Sequence, residues 1–170
     1  MTMTTVDWTR AGKAWVIPNE YVNTDAIMPR AGFELPPDQQ GPLVLATIRP
    51  GWAMLVKPGD ILVVGRAFGT GSSRPAPRYI AQLGIAAIVA ESVGEIFFRN
   101  CVSYAVPVLE CPGVLDLVTE GDEVAVNIEH GTFINHATGA TARGEAMPDM
   151  LLETIAAGGT QALLRRDGYV

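Results

Sequence analysis

The sequence has little cysteine and histidine, and this scarcity excludes several kinds of site. Its 170 residues include two cysteines and two histidines. Two cysteines are too few for a disulfide framework or for a structural zinc site built by this chain alone. Free cysteine is usually buried, so we interpret Cys101 and Cys111 as packing residues. We therefore predict no metal ligands in this chain.

Long apolar segments and an excess of positive charge are also missing. No stretch approaches the roughly 18 apolar residues of a membrane span, and residues 1–10 lack the apolar core of a secretory signal. A formal charge of −6 does not favour nucleic acid or anionic lipid surfaces. With 48% hydrophobic residues and a mean hydropathy of +0.22, the chain is globular in composition. We expect one domain over residues 1–170, in a reducing cytoplasm, without nucleic-acid or membrane partners.

Three short apolar runs in the middle of the chain predict buried strands. They cover residues 61–65, 85–90 and 107–109, and two helical segments separate them. The second helix is predicted to start at a capping box formed by Ser92 and Glu95 and to end near residue 104. Strands alternating with helices in this way indicate an α/β fold with a parallel βαβαβ unit.

The flanking segments predict simpler elements. Residues 14–18 read as a strand, and the polar triplet 23–25 favours a turn or a helix cap. Residues 30–42 are rich in Pro and Gly, which predicts an irregular, mobile loop. Towards the C-terminus we predict a hairpin over residues 123–134 and two helices, at 148–157 and 160–166.

The chemically informative segment is Gly69–Thr70–Gly71–Ser72–Ser73–Arg74, between a predicted strand and a predicted helix. Glycines let a backbone turn tightly and approach a ligand, and helix-start N–H groups attract anions. The planar fork of Arg74 matches a carboxylate or a phosphate. A Walker loop would need a lysine here, and the dinucleotide fingerprint would need a third glycine where Arg74 stands. An ordinary Gly-rich turn remains an alternative.

Several motifs together give the chain a family resemblance over residues 15–166. Gly71–Arg74 is followed by Gly84–Ile85, by Ala90–Glu91–Ser92, and by Ile96–Phe97–Phe98–Arg99–Asn100; Asn23–Pro29 comes earlier and Ala156–Gly159 later. This set resembles the swivelling β/β/α domain of the aconitase superfamily. A chain of this size most resembles the small subunits of 3-isopropylmalate dehydratases and their close relatives.

The resemblance implies a hydro-lyase that isomerises a 2-hydroxy dicarboxylate by dehydration and rehydration, as in leucine biosynthesis. It implies a partner, a large subunit that carries a [4Fe-4S] cluster and is required for activity. By position, Ser72 matches the catalytic base, and Ser73 and Arg74 match ligands of a substrate carboxylate. Asp25 and Gly71 match further substrate-binding positions, and Thr24 and Arg78 are possible additions, which the sequence does not decide.

Two departures from the family pattern keep alternatives open. The family usually continues Ser-Ser-Arg with Glu-His-Ala, whereas this chain has Pro75–Ala76–Pro77–Arg78. Arg78 follows Arg74 by four residues, so a shared helix face is predicted. Residues 30–42 also lack the Tyr-Leu pattern of isopropylmalate enzymes. Isopropylmalate, citraconate-, methylmalate- and homoaconitate-type substrates therefore stay possible, as does a non-catalytic domain that senses a carboxylate.

Overall fold

The computed structural model describes residues 6–72 and 74–170. Ser73 and residues 1–5, which belong to the segment 1–10 where we predict no secretory signal, lie outside the described residues. Its strands are β1 (Thr9–Ile17), β2 (Ile61–Val64), β3 (Ala87–Ala90), β4 (Val108–Glu110), β5 (Glu123–Asn127), β6 (Thr132–Asn135) and β7 (Thr141–Arg143). Its α-helices are α1 (Thr24–Ile27), α2 (Arg30–Phe33), α3 (Ala76–Gln82), α4 (Glu95–Ser103), α5 (Asp149–Ala156) and α6 (Thr160–Arg166).

One seven-stranded mixed sheet organises the chain, in the order β4-β3-β2-β1-β5-β6-β7. Strands β1 to β4 pair in parallel, with α3 and α4 between the last three of them. Strands β5, β6 and β7 pair antiparallel on the other side of β1. The predicted α/β class, parallel βαβαβ unit and C-terminal hairpin are confirmed.

The core lies around the parallel half of the sheet. Every residue of β2 and β3 is buried, which explains why both strands read as continuous apolar runs rather than alternating ones. The ring of Phe97 on α4 packs edge-to-face on Phe68, with centroids 5.4 Å apart. This contact packs α4 against the segment that follows β2.

Two sequence-based predictions about local structure are wrong. Residues 30–42 are not irregular, because they form α2 and short 3₁₀ turns at Pro37–Gln39 and Gly41–Leu43. Proline is tolerated in the first turn of a helix, so it permits such single turns while preventing longer ones. The capping box is also wrong: α4 begins after Gly94, and the Ser92 hydroxyl instead accepts a hydrogen bond from the Ala67 N–H at 2.9 Å.

Candidate active site

The segment after β1 and the segment after β2 meet at the carboxyl edge of the parallel strands. The backbone N–H of Thr24 donates to the Thr70 carbonyl at 2.9 Å, and that of Gly69 donates to the Val22 carbonyl at 2.7 Å. Asn23 caps α1, since its side-chain oxygen accepts from the Ala26 N–H at 2.8 Å. In open α/β sheets, ligands bind at this edge. The fold therefore brings the two predicted motifs together.

The segment after β3 supports the same loop from the other side. The Phe68 N–H donates to the Ser92 carbonyl at 3.1 Å, and the Gly94 N–H donates to the Phe68 carbonyl at 2.8 Å. A Cβ on Gly94 would lie 2.8 Å from the Gly69 carbonyl oxygen, closer than real Cβ atoms come. Three strand ends thus define the path of the loop 69–74.

Left-handed backbone conformations occur in this loop and just before both converging segments. Gly69 and Gly71 have left-handed φ values of +78° and +83°, which glycine adopts without penalty. Tyr21 and Ala67, with φ of +54° and +52°, are non-glycine residues in the same region, and they flank the two converging segments. Such conformations persist where the surrounding structure enforces them, and they cluster at functional sites.

The predicted site residues occupy different depths. Ser72 and Gly71 are exposed, whereas Thr24 is buried at 3% exposure. Arg74 and Asp25 come together: Nη2 of Arg74 lies 3.5 Å from Oδ1 of Asp25, and the two side chains are 15% and 61% exposed. Ser73 belongs to the same loop but lies outside the described residues. The arrangement offers a hydroxyl near solvent beside a cation held by a carboxylate.

The start of α3 differs from the expected anion site. Pro75 and Pro77 have no backbone N–H, and the Arg78 N–H is bonded to the Pro75 carbonyl at 3.1 Å. Among residues 75–78, only Ala76 therefore retains an N–H for a ligand. The expected contribution of the N–H groups at the start of α3 is therefore largely lost, which gives the cationic side chains at this loop a larger share in binding an anion.

Arg78 does not share a helix face with Arg74, because α3 starts at Ala76 and Arg74 precedes it. Its guanidinium lies 5.6 Å from the centre of the Tyr79 ring. Within the described part of the chain, the buried Nε of Arg78 has no hydrogen-bond acceptor. Arg78 is thus a cation close to the loop in sequence, which keeps it a candidate ligand.

Sequence reasoning missed Phe33. Its ring lies over the guanidinium of Arg74, with the Arg74 Cζ 4.3 Å from the ring centre. The Pro- and Gly-rich surroundings of Phe33 carry no local signal of this contact, since the two residues are 41 positions apart.

Comparison with known proteins decides the family. The model of the aconitase C-terminal domain matches residues 49–112, which include the loop 69–74. The isopropylmalate/citramalate isomerase small subunit of Methanocaldococcus jannaschii is 39% identical over 157 residues, covering 91% of this chain and 93% of that protein. The chain belongs to the family of 3-isopropylmalate dehydratase small subunits. As such it is the small subunit of a hydro-lyase.

Other members of the 3-isopropylmalate dehydratase family agree in sequence and in fold. The small subunit of Heliobacterium modesticaldum is 35% identical, covering 87% of this chain and 90% of that protein. The crystal structure of a 3-isopropylmalate dehydratase from Methanocaldococcus jannaschii superposes with a TM-score of 0.85 and 28% identity, over 94% of this chain and 95% of that one. The predicted aconitase-type swivel fold is therefore confirmed over nearly the whole length.

The cysteines of this dehydratase small subunit do not fit an iron–sulfur cluster. Cys101 and Cys111 are both fully buried, and burial raises the pKa of both thiols, which opposes the thiolate that binds iron. Residues 6–72 and 74–170 contain no group of three or more Cys, His, Asp or Glu side chains that could hold a metal ion. Over the same residues, no helix is long and apolar enough to cross a bilayer.

Proposed function

We propose that this chain, assembled with a large subunit, isomerises a 2-hydroxy dicarboxylate by dehydration and rehydration. The observation that carries the proposal is the convergence of the 23–25 and 69–74 segments, which places Arg74 beside Asp25 and leaves Ser72 exposed. Family membership supports the reaction class, and the site supplies this chain's own part of the chemistry.

In this proposal Ser72 is the base. In the dehydration step the Ser72 alkoxide takes the proton from the carbon next to a substrate carboxylate and becomes a neutral hydroxyl. The C–H electron pair forms the C=C bond and the C–O bond breaks, so the substrate hydroxyl leaves as hydroxide, which the large subunit would bind and protonate; rehydration reverses these changes. Such a C–H bond is a weak acid, and a serine alkoxide is costly unless cations stabilise it. The exposed position of Ser72, two residues before the Arg74 cation, suits a hydroxyl that must reach a bound substrate.

Arg74 binds the carboxylate on which negative charge grows. Its planar guanidinium can donate two parallel hydrogen bonds to one carboxylate, which a lysine cannot reproduce. A donor aimed at developing charge is typically worth about 3 kcal/mol in the transition state. Asp25, 3.5 Å from Nη2 of Arg74, orients this fork. Gly71 and Thr24 shape the loop beside it, Ser73 is proposed as an additional hydroxyl or N–H donor, and Arg78 is a candidate for a second carboxylate.

The large subunit completes the site. We propose that it carries the [4Fe-4S] cluster, which when bound supplies Lewis acidity towards the substrate hydroxyl. Gly71 and Ser72 of this loop are exposed in the isolated chain. Electrostatic catalysis is strongest where water is excluded, so a covering partner suits this geometry. In this assembly residues 1–170 would act as one swivel domain.

We propose isopropylmalate as the substrate, because most of the relatives compared are named for it. This substrate would place the chain in leucine biosynthesis. Citramalate is the second candidate, because the 39% identical relative from Methanocaldococcus jannaschii is named for both substrates. A parallel assay with both diacids separates the two.

The test is turnover by the co-expressed subunits, purified without oxygen and followed by absorbance of the alkene. Ser72→Ala should lower kcat by orders of magnitude with KM retained, whereas Arg74→Lys should raise KM and also lower kcat, because the fork binds the carboxylate both before and during proton removal. Ser103→Ala, which removes an exposed hydroxyl at the end of α4, is the matched control and should leave both constants unchanged. A near-normal kcat in Ser72→Ala would exclude Ser72 as the catalytic base. Diacid binding without any turnover by the wild type would favour the carboxylate sensor.

A further inference from the structure

The Phe33–Arg74 contact joins a partly exposed aromatic ring to a largely buried guanidinium. Phe33 ends α2 and is 44% exposed, although large apolar side chains normally gain free energy by burial. The Arg74 side chain is 15% exposed although it belongs to a surface loop. The ring therefore covers part of the guanidinium rather than part of the core.

The element that carries Phe33 is firmly anchored. A Cβ on Gly32 would lie 2.5 Å from the Met28 sulfur and 3.0 Å from the Leu43 Cβ, so α2 packs at the closest distance that a glycine allows. Gln40 is 4% exposed and donates from Nε2 to the Leu35 carbonyl at 3.0 Å. These contacts hold α2, and with it the backbone of Phe33, at a defined place in the fold.

The ring and the carboxylate constrain the guanidinium in different ways. A cation stacked on an aromatic face keeps its N–H groups in the plane of the guanidinium, so stacking does not compete with in-plane hydrogen bonds. The Phe33 ring, with its centre 4.3 Å from the Arg74 Cζ, limits the movement of the guanidinium on one side, and Asp25 approaches Nη2 at 3.5 Å. We propose that Phe33 is a positioning residue for Arg74 in the reaction, an inference that rests on the proposed function.

A positioned guanidinium loses less conformational freedom when it binds a carboxylate. Removal of the ring should therefore weaken substrate binding more than it slows the chemical step. A partly exposed cation–π contact predicts a rise in KM of about two- to five-fold, with kcat nearly unchanged.

The experiment uses the assembled two-subunit enzyme and measures kcat, KM and the inhibition constant of a non-reacting diacid. Phe33→Leu removes the ring and should raise KM and the inhibition constant together, while Phe33→Tyr retains the ring and should restore both. Tyr104→Leu is the matched control, because Tyr104 is a similarly exposed aromatic (40%) outside the site. Phe33→Met serves as a second ring-free variant.

A double-mutant cycle tests whether Phe33 acts through Arg74. In an Arg74→Ala background, Phe33→Leu should have no further effect on KM. An equal effect in both backgrounds, or an unchanged KM in Phe33→Leu, overturns the proposal. Loss of subunit assembly in both ring-free variants also overturns it, since Phe33 would then serve the subunit interface. If Arg74→Ala itself leaves KM unchanged, the proposed function has failed at its carboxylate contact.

Discussion

Replacing Gly69 by alanine should destabilise the chain more than the same change at a left-handed glycine that has open space around it. A Cβ at this position would lie 2.2 Å from Cδ2, 2.3 Å from Cγ and 2.7 Å from Cβ of Phe97. Because all three atoms crowd the new methyl, rotation of the Phe97 ring cannot relieve the clash. Phe97 is 1% exposed and packs on Phe68, so it has little room to move.

The cost has two parts that a matched control separates. A non-glycine residue in the left-handed region costs about 1–2 kcal/mol, and overpacking of a core costs about 1–3 kcal/mol more. Gly139 has φ of +77° and no atom within 4 Å of an added Cβ, so Gly139→Ala carries the backbone cost alone. We expect losses of about 1–2 kcal/mol for Gly139→Ala and about 2–5 kcal/mol for Gly69→Ala.

The assay is urea unfolding of both variants, followed by circular dichroism, with equal m-values as the condition for comparing free energies. The difference between the variants measures the Phe97 clash. If Gly69→Ala is no less stable than Gly139→Ala, then Phe97 does not fix the start of the loop and the argument fails.

Two further predictions concern groups outside the site. The hydrogen bond from Arg49, with Nη2 2.7 Å from Oε1 of Glu120, lowers the pKa of Glu120. The stability that this pair contributes is therefore present above the pKa of Glu120 in the unfolded chain and is lost as the pH falls through its pKa in the folded chain. Glu120→Gln should reduce the pH dependence of the free energy of unfolding in that range. An unaltered pH dependence would contradict this. Burial raises the pKa of Cys101 and Cys111, so neither thiol should react with a disulfide reagent in the folded chain and both should react in urea. Rapid labelling of the native chain would refute their burial.

The sequence predicted elements best where local pattern and tertiary role agree. Strands β2 and β3 are buried on every residue, so their apolar runs were unambiguous. The first half of β1 was missed because Thr9–Lys13 is polar and largely exposed, and only pairing with β5 makes it a strand. The three-residue strand β7 likewise depends on β6.

In the candidate site, too, features with a local sequence pattern were predicted and features that depend on distant contacts were not. Arg74 and Asp25 were singled out because they lie in two recognisable motifs, whereas their ion pair became visible only in the structure. The capping-box prediction failed because Ser92 bonds to Ala67, 25 positions away, and no local rule contains that partner. Phe33 was missed for the same reason. Long-range contacts of single side chains are set by the finished fold.

Strand β1 has a consequence for how the chain is made. Its C-terminal half pairs with β2, but its N-terminal half pairs with β5, whose last residue is Asn127. During synthesis, this half must keep an unpaired edge for more than a hundred residues of translation. Unpaired edges invite association with other chains. Slow synthesis or crowding by ribosomes translating the same message should therefore favour aggregation of the nascent chain, and assistance by a chaperone should be most useful before β5 emerges.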